Sequence, residues 1–320
     1  MVNSSFPTPQ SVVSAAPLVT IVALCHNHAA FLREALDSII SQTHSALEVW
    51  LVDDASTDGS QHILRAYAHQ HPDWHLLLLP GNVGNCRAFN RAFFQSQGEF
   101  VIDFATDDVL LPERVAQQVA AFAAAAPAVG VVYSNAELIT EEGKFSRLHH
   151  QRLTASTSRP QPVSGWVFGE VLRRYFICTP TMMMRSACLH QLGGYDETLA
   201  YEDFDFWVRA SRHWQFLYLN EVTTRKRIHP RSMSSRAYRR HDPYLASTIQ
   251  VCKKALALAQ GPAELDALAT RVRWEMRQAG WRRRHAEARE LFGLLRQTGR
   301  PTALDWALGA WSGLCSLNQG

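Results

Sequence analysis

Residues 18–24 read LVTIVAL, and this stretch decides the fold, because a near-continuous apolar run of strand length is typical of a strand buried on both faces of a parallel sheet. Apolar residues then recur at the spacing of one helix face from Phe31 to Ile40. A second strand, LEVWLV at residues 47–52, ends in Asp53 and Asp54. This order of strand, helix and strand predicts a right-handed crossover between two parallel strands.

The same alternation continues along the chain. Further strands are predicted at residues 74–79, 100–104, 129–134 and 215–219, and helices around residues 63–67, 88–93 and 112–126. The pattern predicts an α/β fold with a mostly parallel sheet and helices on both faces. Ligands of such sheets bind at the carboxyl ends of the strands, where loops lead into helices. The residues that directly follow each strand are therefore the candidates for function.

The chain divides into three predicted parts. Residues 1–17 hold neither a Lys or Arg nor an apolar run, which predicts a flexible leader rather than a signal peptide. Residues 18–240 are predicted to form the α/β domain, and residues 241–320 a helical C-terminal extension of three or four helices. The most apolar stretch, residues 115–133, contains two Gln and a Pro and is too interrupted to span a bilayer. We therefore expect a cytoplasmic protein.

Composition excludes several classes of protein. The 320 residues are 47% hydrophobic and 19% charged, which argues against a disordered chain. The net charge of +3 is too small for a protein that coats nucleic acid, so no nucleic-acid partner is expected. The six cysteines form no CxxC pair and no spacing typical of a zinc site, which predicts buried thiols in a reducing compartment.

Acidic residues follow two of the predicted strands. The second strand runs into VDDASTDGS at residues 52–60, and the fourth into ATDD. Helix capping would explain residues 57–60, because Asp, Ser and Thr cap free N–H groups. It explains Asp107 and Asp108 less well, because residues 110–112 intervene before the helix. Adjacent carboxylates repel unless a cation lies between them, so this pair predicts a Mg²⁺ or Mn²⁺ site shared with substrate phosphates.

Six motifs, in order, resemble those of family-2 glycosyltransferases. They are VTIV to Asn27 (residues 19–27), VDDASTDGS (52–60), GNVG with Asn90 (81–90), GEF leading to TDD (98–108), GGYD (193–196) and YED (201–203). Any one of them alone is weak, but six in sequence are specific, and the resemblance covers residues 18–235. It implies a GT-A fold, a nucleotide-sugar donor, a Mn²⁺ or Mg²⁺ ion and inversion at the anomeric carbon.

The resemblance assigns roles position by position. Asp54 matches the carboxylate that pairs with the donor base. Asp107 and Asp108 match the acidic motif that holds the ribose and the metal–diphosphate, and Asp203 matches the general base. The family's commonest acidic motif begins with an Asp that Ala105 replaces here. The predicted role of metal ligand therefore falls on Asp108, with Asp107 nearby.

The predicted donor site also includes Asn27, Asn85, Arg227 and His229. The last two resemble the family's Arg-x-His-Pro segment, which closes over the diphosphate. They lie in a basic run at residues 225–240, which could equally be a solvated face. Together with the Trp-bearing C-terminal helices, the run could also make peripheral contact with an anionic membrane.

A structural explanation competes with the catalytic role of Asp203. Glu202 and Asp203 begin an amphipathic helix, where acidic residues complement the helix dipole. The GGYD motif just ahead favours the catalytic role. In a first helical turn the two side chains point about 100° apart, so both are not expected to reach one hydroxyl.

These observations predict an inverting, metal-dependent glycosyltransferase. It would move a sugar from a UDP-, dTDP- or GDP-sugar to a hydroxyl of a glycan or lipid-linked acceptor, in the synthesis of a bacterial surface polysaccharide. Two alternatives stay open. A catalytically silent nucleotide-sugar-binding or scaffold protein is compatible with Ala105. A sugar-phosphate nucleotidyltransferase is weaker, because residues 25–28, CHNH, lack the Gly-rich basic loop it would need.

Overall fold

A computed structural model describes residues 16–150, 161–232 and 243–317 of the chain. The strands in these ranges are β1 Val19–Cys25, β2 Leu47–Asp53, β3 His75–Leu78, β4 Phe100–Ala105, β5 Val109–Leu110, β6 Val129–Ile139, β7 Phe145–Leu148, β8 Met183–Arg185 and β9 Gln215–Arg227. They form one sheet in the order β3-β2-β1-β4-β8-β6-β9-β5, with β7 paired to β6. Strands β1 to β4 are mutually parallel, and β8 joins them to β6 through antiparallel pairs. The predicted α/β fold is confirmed.

Helices cover both faces of this sheet. They are α1 Ala29–Ile40, α2 Ser60–Gln70, α3 Asn85–Phe93, α4 Arg114–Ala124, α5 Phe168–Arg173, α6 Ser186–Leu192, α7 Asp203–Ser211, α8 Tyr244–Leu258, α9 Gly261–Trp281, α10 His285–Gln297 and α11 Ala303–Leu317. A 3₁₀ turn spans Thr179–Thr181. The helices create two apolar layers, with the sheet between them.

Strand β1 lies between the two layers and contributes side chains to both, and every one of its residues is buried. Val22 and Leu24 belong to one hydrophobic cluster, whereas Ile21 and Ala23 belong to the other. This division follows from the alternation of side chains along a strand. The second cluster includes residues of α1, α2 and α4, and the first includes residues of α3 and of α5 to α10. Burial on both faces therefore accounts for the nearly continuous apolar sequence of β1, in which the hydroxyl of the one polar residue, Thr20, donates to Glu48 Oε2.

Two strands extend beyond their predicted ends. β6 continues past residue 134, and β9, expected at residues 215–219, continues to Arg227. The apolar pattern stops where buried polar residues begin, but these residues have partners: Ser134 and Thr223 lie 2.6 Å apart through their hydroxyl oxygens, and Asn135 donates to the His150 carbonyl. The long parallel pairing of β6 with β9 thus tolerates polar residues that sequence periodicity treats as breaks.

Other differences are small. Helix α4 begins at Arg114 rather than at Pro112. Strands β5, β7 and β8 have two to four residues each, too few to produce a periodic signal. Cysteines 25, 86, 178, 188 and 252 are buried free thiols, in line with the sequence prediction.

The C-terminal region forms four helices, α8 to α11, within residues 243–317. Leu268, Val272 and Met276 of α9 are buried in the same cluster as Phe204 and Phe206 of α7. These helices therefore share a core with the sheet, and the division at residue 240 stays a prediction. The predicted leader lies almost wholly outside the described residues. Within the part of the chain that the structure describes, no helix is both long enough and apolar enough to cross a membrane.

Candidate functional site

The parallel arrangement brings the ends of β1, β2 and β4 to one edge of the sheet. Residues after β1 and β2 contact each other there: Asn27 Oδ1 accepts the Thr57 N–H at 2.8 Å, and the Asn27 N–H donates to Ser56 Oγ at 2.9 Å. Asn27 has a left-handed backbone (φ 59°), which Asn adopts more readily than most residues. The predicted donor residue Asn27 therefore lies at the edge, where it holds the loop after β2.

Asp54 is buried at the same edge and fastens a second loop. Its Oδ1 accepts the Val83 N–H at 2.7 Å, and its Oδ2 accepts the Gly84 N–H at 2.9 Å. The next residue, Asn85, donates from Nδ2 to Glu202 Oε2 at 2.7 Å. Asp54 and Asn85, both predicted to bind the donor, thus also organise the loop at the start of α3.

Asp58 shows that part of the acidic segment after β2 is structural. Its Oδ2 accepts the N–H of Ala29, the first residue of α1, at 2.9 Å. Its Oδ1 accepts the N–H of Ser60, the first residue of α2, at 3.1 Å. Hydrogen bonds to the charged carboxylate lower the pKa of Asp58 despite the opposing effect of burial. Capping therefore accounts for this residue.

Asp107 and Asp108 lie just after β4 and are both buried. Asp107 Oδ2 accepts a hydrogen bond from His229 Nε2 at 3.0 Å, and Asp108 Oδ1 accepts the Arg227 N–H at 2.7 Å. Burial and the neighbouring Asp107 charge hold the pKa of Asp108 well above its usual range. Burial also opposes ionisation of Asp107, but the hydrogen bond from His229 and the nearby His28 outweigh it and lower its pKa. The structure thus brings the acidic motif and the Arg-x-His segment together.

Arg227 is buried, so this part of the basic run is not a solvated face. Its Nη2 pairs with Glu34 Oε2 of α1 at 2.6 Å, and its Nε donates to the Asp107 carbonyl at 3.0 Å. Its Nη1 donates to the carbonyls of Thr140 and Glu141. The guanidinium thereby joins three chain segments: α1, the acidic motif and residues 140–141. Residues 233–240 of the predicted run lie outside the described residues.

Glu202 and Asp203 form a second acidic pair, at the start of α7 as predicted. They have different partners: Glu202 accepts from Asn85, whereas Asp203 Oδ2 accepts the Thr179 hydroxyl at 3.2 Å. Burial and the Asp203 charge raise the pKa of Glu202 to about 7. Burial also raises the pKa of Asp203. Both side chains are therefore stronger bases than ordinary carboxylates.

Lys226 links the two acidic pairs and was not singled out by sequence reasoning. It is partly buried on β9, next to Arg227. Burial disfavours its charged form, but the nearby Cys178 thiol and the carboxylates of Asp108, Asp203 and Asp107 outweigh this and raise its pKa. The only sequence signal was its position beside Arg-x-His, and the strand that carries it was expected to end earlier.

His28 is another residue that the sequence reasoning passed over. Its Nδ1 lies 3.0 Å from Thr106 Oγ1, which connects the loop after β1 with the acidic motif after β4. Burial lowers the pKa of His28, although Asp107 opposes this effect. His28 is therefore a neutral hydrogen-bonding group beside the acidic motif at neutral pH.

The GGYD motif has a structural role that supports the second acidic pair. Asn90 of α3 donates to the Tyr195 carbonyl and accepts the Tyr195 N–H, both at 2.9 Å. Gly194 has φ +78°, and a Cβ there would lie 2.6 Å from Asn90 Oδ1. Only glycine fits this contact, so the motif fixes the segment that leads to Glu202.

The chemistry of Asp107 and Asp108 fits a divalent ion. Hydrogen bonds from other residues engage one oxygen of each carboxylate, which leaves the second oxygen of each for a cation. Among the described residues, no group of three or more His, Cys, Asp or Glu side chains gathers into a self-contained metal site. Mg²⁺ commonly takes only one or two carboxylates together with substrate phosphates. The donor set therefore suits an ion that arrives with a diphosphate.

Solved structures with the same fold carry nucleotide sugars. The structure is similar to Staphylococcus aureus TarS residues 1–349 in complex with UDP-GlcNAc, with a TM-score of 0.63 and 17% identity over 87% of this chain and 84% of that chain. It is also similar to the mannosyltransferase PcManGT from Pyrobaculum calidifontis in complex with GDP-Man and Mn²⁺, with a TM-score of 0.58 and 20% identity over 97% and 84% of the two chains. These likenesses establish the GT-A fold.

Relatives by sequence match either a third of the chain at 30–34% identity or about 70% of it at lower identity. An uncharacterized glycosyltransferase of Nostoc sp. is 34% identical over 104 residues, which is 32% of this chain and 32% of that protein. One of Rickettsia prowazekii is 26% identical over 229 residues, 71% of this chain and 69% of the relative. TuaG of Bacillus subtilis, named for teichuronic acid biosynthesis, is 30% identical over 102 residues, 32% of this chain and 40% of TuaG.

The match to a family sequence model covers most of the sheet and the first acidic pair. Glycosyl transferase family 2 matches residues 20–189, which is more than half of the chain. This segment holds β1 to β8, and with them Asp54, Asp107 and Asp108. The site at the sheet edge thus lies largely within the matched segment, and the chain belongs to glycosyl transferase family 2.

Proposed function

We propose that this protein is an inverting glycosyltransferase that moves a sugar from a nucleotide-sugar donor to a hydroxyl acceptor. The observation that carries the proposal is the placement of two unlike carboxylate pairs within electrostatic reach of one cation, Lys226. Asp107 and Asp108 accept hydrogen bonds from His229 and the Arg227 backbone. Glu202 and Asp203 have raised pKa values, which suits carboxylates that act as bases. Inversion needs these two functions in one site, a diphosphate anchor and a base for the acceptor.

The proposed donor site follows the sheet edge. Asn27, Asp54 and Asn85 border the space for the base and ribose, and Asp107, Arg227 and His229 border the space for the diphosphate. Each oxygen of Asp54 accepts one N–H in the structure, but a carboxylate oxygen has two lone pairs, so Asp54 can still accept the imide N–H of uracil or thymine. TarS with UDP-GlcNAc and PcManGT with GDP-Man support a UDP-, dTDP- or GDP-sugar donor.

The metal is proposed to be Mn²⁺ or Mg²⁺, held by Asp108 with Asp107. When bound, it would stabilise the charge that develops on the leaving diphosphate, a Lewis-acid effect worth several kcal/mol. The Mn²⁺ in the PcManGT structure supports this choice. Lys226 would add a second positive charge near the same group, which is the chain's own contribution to leaving-group stabilisation.

Asp203 is proposed to be the general base. The acceptor oxygen forms its bond to the anomeric carbon on the face opposite the diphosphate, the bond from that carbon to the diphosphate oxygen breaks, and the acceptor proton passes to Asp203. Thr179 orients the carboxylate through Oδ2, and burial raises its pKa, which strengthens it as a base. Glu202 is oriented away by Asn85 and is not needed for this step.

The acceptor is proposed to be a glycan or a lipid-linked glycan of a bacterial surface polysaccharide, handled at the cytoplasmic side. The similarity to TuaG, which is named for teichuronic acid biosynthesis, supports this class. The alternative of a silent nucleotide-sugar-binding or scaffold protein rests on Ala105, which cannot ligate a metal.

Calorimetry with UDP, dTDP and GDP, with and without Mn²⁺, followed by measurement of nucleotide-sugar hydrolysis, tests the proposal. A transferase should bind one nucleotide in a Mn²⁺-dependent way and hydrolyse its sugar slowly, with water in place of the acceptor. Binding without any turnover would favour the silent protein. Absence of binding to every nucleotide would refute the donor assignment.

A further inference from the structure

Residues 303–311, the part of helix α11 whose side chains the structure describes, present an uncharged surface to the solvent. Between residues 303 and 317 the only charged residue is Asp305, and it is buried against Arg273, with the Nε to Oδ2 distance 2.9 Å. Leu304, Trp306 and Trp311, by contrast, each expose about half of their surface. A helix that turns its one charge inward and its tryptophans outward is unusual on a protein surface exposed to water.

The corner between α9 and α10 lies beside this helix. Trp281 ends α9 with 80% of its surface exposed, and three consecutive arginines, residues 282–284, follow it. The Trp311 ring lies 5.0 Å from the His285 ring, and a Cβ on Gly280 would be 3.9 Å from the same tryptophan. Trp311 thus contacts the residues on both sides of this segment. We call the surface formed by Trp281, residues 282–284 and Trp311 the tryptophan–arginine corner.

Positive charge is concentrated around this corner. Residues 271–311 contain nine arginines and four acidic residues, a net charge of +5, whereas the whole chain carries only +3. Glu275 and Asp305 are buried in ion pairs with Arg271 and Arg273, so the other seven arginines and two acids of this segment carry its net charge of +5. The corner therefore combines exposed tryptophans with a strong local excess of arginine.

We propose that the tryptophan–arginine corner docks on the surface of an anionic lipid bilayer. Tryptophan partitions to the membrane–water interface because it has an apolar body and a polar N–H, and arginines are attracted by anionic headgroups. A second copy of the chain fits less well, because a symmetric contact would place residues 282–284 against the same residues of the other copy. The corner is distinct from the basic run at residues 225–240, whose Arg227 is buried in the site.

Flotation of the full chain with vesicles tests the inference. We expect the chain to float with vesicles of phosphatidylglycerol and phosphatidylcholine, and to float less with phosphatidylcholine alone. The difference should disappear at high salt, because the Debye length falls to about 3 Å at 1 M. Arg283→Gln should weaken binding to the anionic vesicles by about fivefold. Trp281→Ser should weaken binding to both vesicle types.

Matched controls come from other parts of the chain. Trp166→Ser removes a tryptophan that is 62% exposed, and Arg65→Gln removes an exposed arginine of α2; both should bind vesicles as the unaltered chain does. Nucleotide binding should be unchanged in all four variants, so the test stands whether or not the proposed transfer reaction is correct. The inference is overturned if the unaltered chain stays in the soluble fraction, if the corner variants float like the controls, or if sedimentation shows a dimer that Trp281→Ser dissociates.

Discussion

Two pairs of adjacent carboxylates at the candidate site have different surroundings: Asp107 and Asp108 are buried, whereas Glu202 and Asp203 are half-buried. Asp107 and Asp108, at the end of β4, receive hydrogen bonds from His229 and from the Arg227 backbone. Glu202 and Asp203, at the start of α7, receive them only from neutral groups, an amide, a hydroxyl and a backbone N–H. Asp107 therefore keeps its charge most readily, whereas the pKa values of Asp108, Glu202 and Asp203 are all raised.

The difference shows that burial alone does not determine what a carboxylate can do. Burial raises the pKa of Glu202 and Asp203, but at Asp107 the hydrogen bond from His229 reverses its effect. A lowered pKa, as at Asp107, keeps a carboxylate charged for a cation, and a raised pKa, as at Asp203, strengthens a general base. The pKa of Asp108 is also raised, so a metal ion that binds there would displace its proton. The neighbouring groups, more than the residue type, distinguish the two pairs.

The largest expected effect tests the proton-accepting pair. Asp203→Asn should reduce the turnover of nucleotide-sugar hydrolysis by about 10²–10⁴-fold, because a general base contributes roughly that factor. Nucleotide affinity, measured by calorimetry, should stay the same, because the base contacts only the acceptor. Glu202→Gln is the matched control and should lose much less. Full turnover in Asp203→Asn would return this residue to a helix-terminus role.

The next effect tests the cation-binding pair. Asp108→Asn should remove most of the Mn²⁺ dependence of nucleotide binding. Mutating a residue that only supports a metal ligand lowers metal affinity by roughly 10- to 100-fold, so loss of the ligand itself should lower it at least as much. Thermal unfolding should show that the variant still folds. Asp58→Asn, at the same edge but used for capping, should keep the dependence. Equal nucleotide affinity of the unaltered chain in EDTA and in Mn²⁺ would contradict the assignment.

A third prediction separates two roles of Asp54. Asp54→Ala should weaken UDP binding by about 1–3 kcal/mol, because a buried N–H donor would lose its acceptor. If the carboxylate pairs with the imide N–H of the base, the loss should be larger for UDP than for CDP in parallel titrations, because cytosine has no imide N–H. Equal losses for both nucleotides would show that Asp54 acts only by holding Val83 and Gly84.

The smallest effect tests the link between the pairs. The charge of Lys226 lowers the pKa of Asp203, so Lys226→Met should raise that pKa further. Because turnover requires ionised Asp203, the acid limb of the pH profile of kcat/KM should move to higher pH. Arg225→Gln, one residue earlier on β9 and paired with Glu137, should leave the limb in place. If the acid limb stays in place in the Lys226 variant, the charge of Lys226 does not influence the pKa of Asp203.

Much of this arrangement could be predicted from the sequence. The apolar β1, the acids after β2 and β4 and the start of α7 at Asp203 all depend on local patterns, and the structure places them as expected. The positions of Asp107 and Asp108 at the edge follow from parallel strands ending together.

Other features depend on contacts between distant segments and could not be read from local patterns. The roles of Lys226 and Arg227 arise because β9 pairs with β6 and β5 over its whole length, which carries these residues to the acidic motif. Arg227 contacts Glu34, which lies far away in the sequence, and no periodicity encodes that distance. The orientation of Glu202 likewise depends on Asn85 of another helix.

The loop at the start of α3 has a consequence for how the binding of one substrate affects the binding of the other. Asp54 holds Gly84, the next residue is Asn85, and Asn85 holds Glu202 beside Asp203. Two adjacent residues, Gly84 and Asn85, therefore join the proposed donor half of the site to the proposed acceptor half. Any donor that shifts Gly84 also shifts the anchor of the acceptor side, and thermodynamic reciprocity requires the acceptor to alter donor affinity by the same factor. Cooperativity between the two substrates would thus pass through one covalent link.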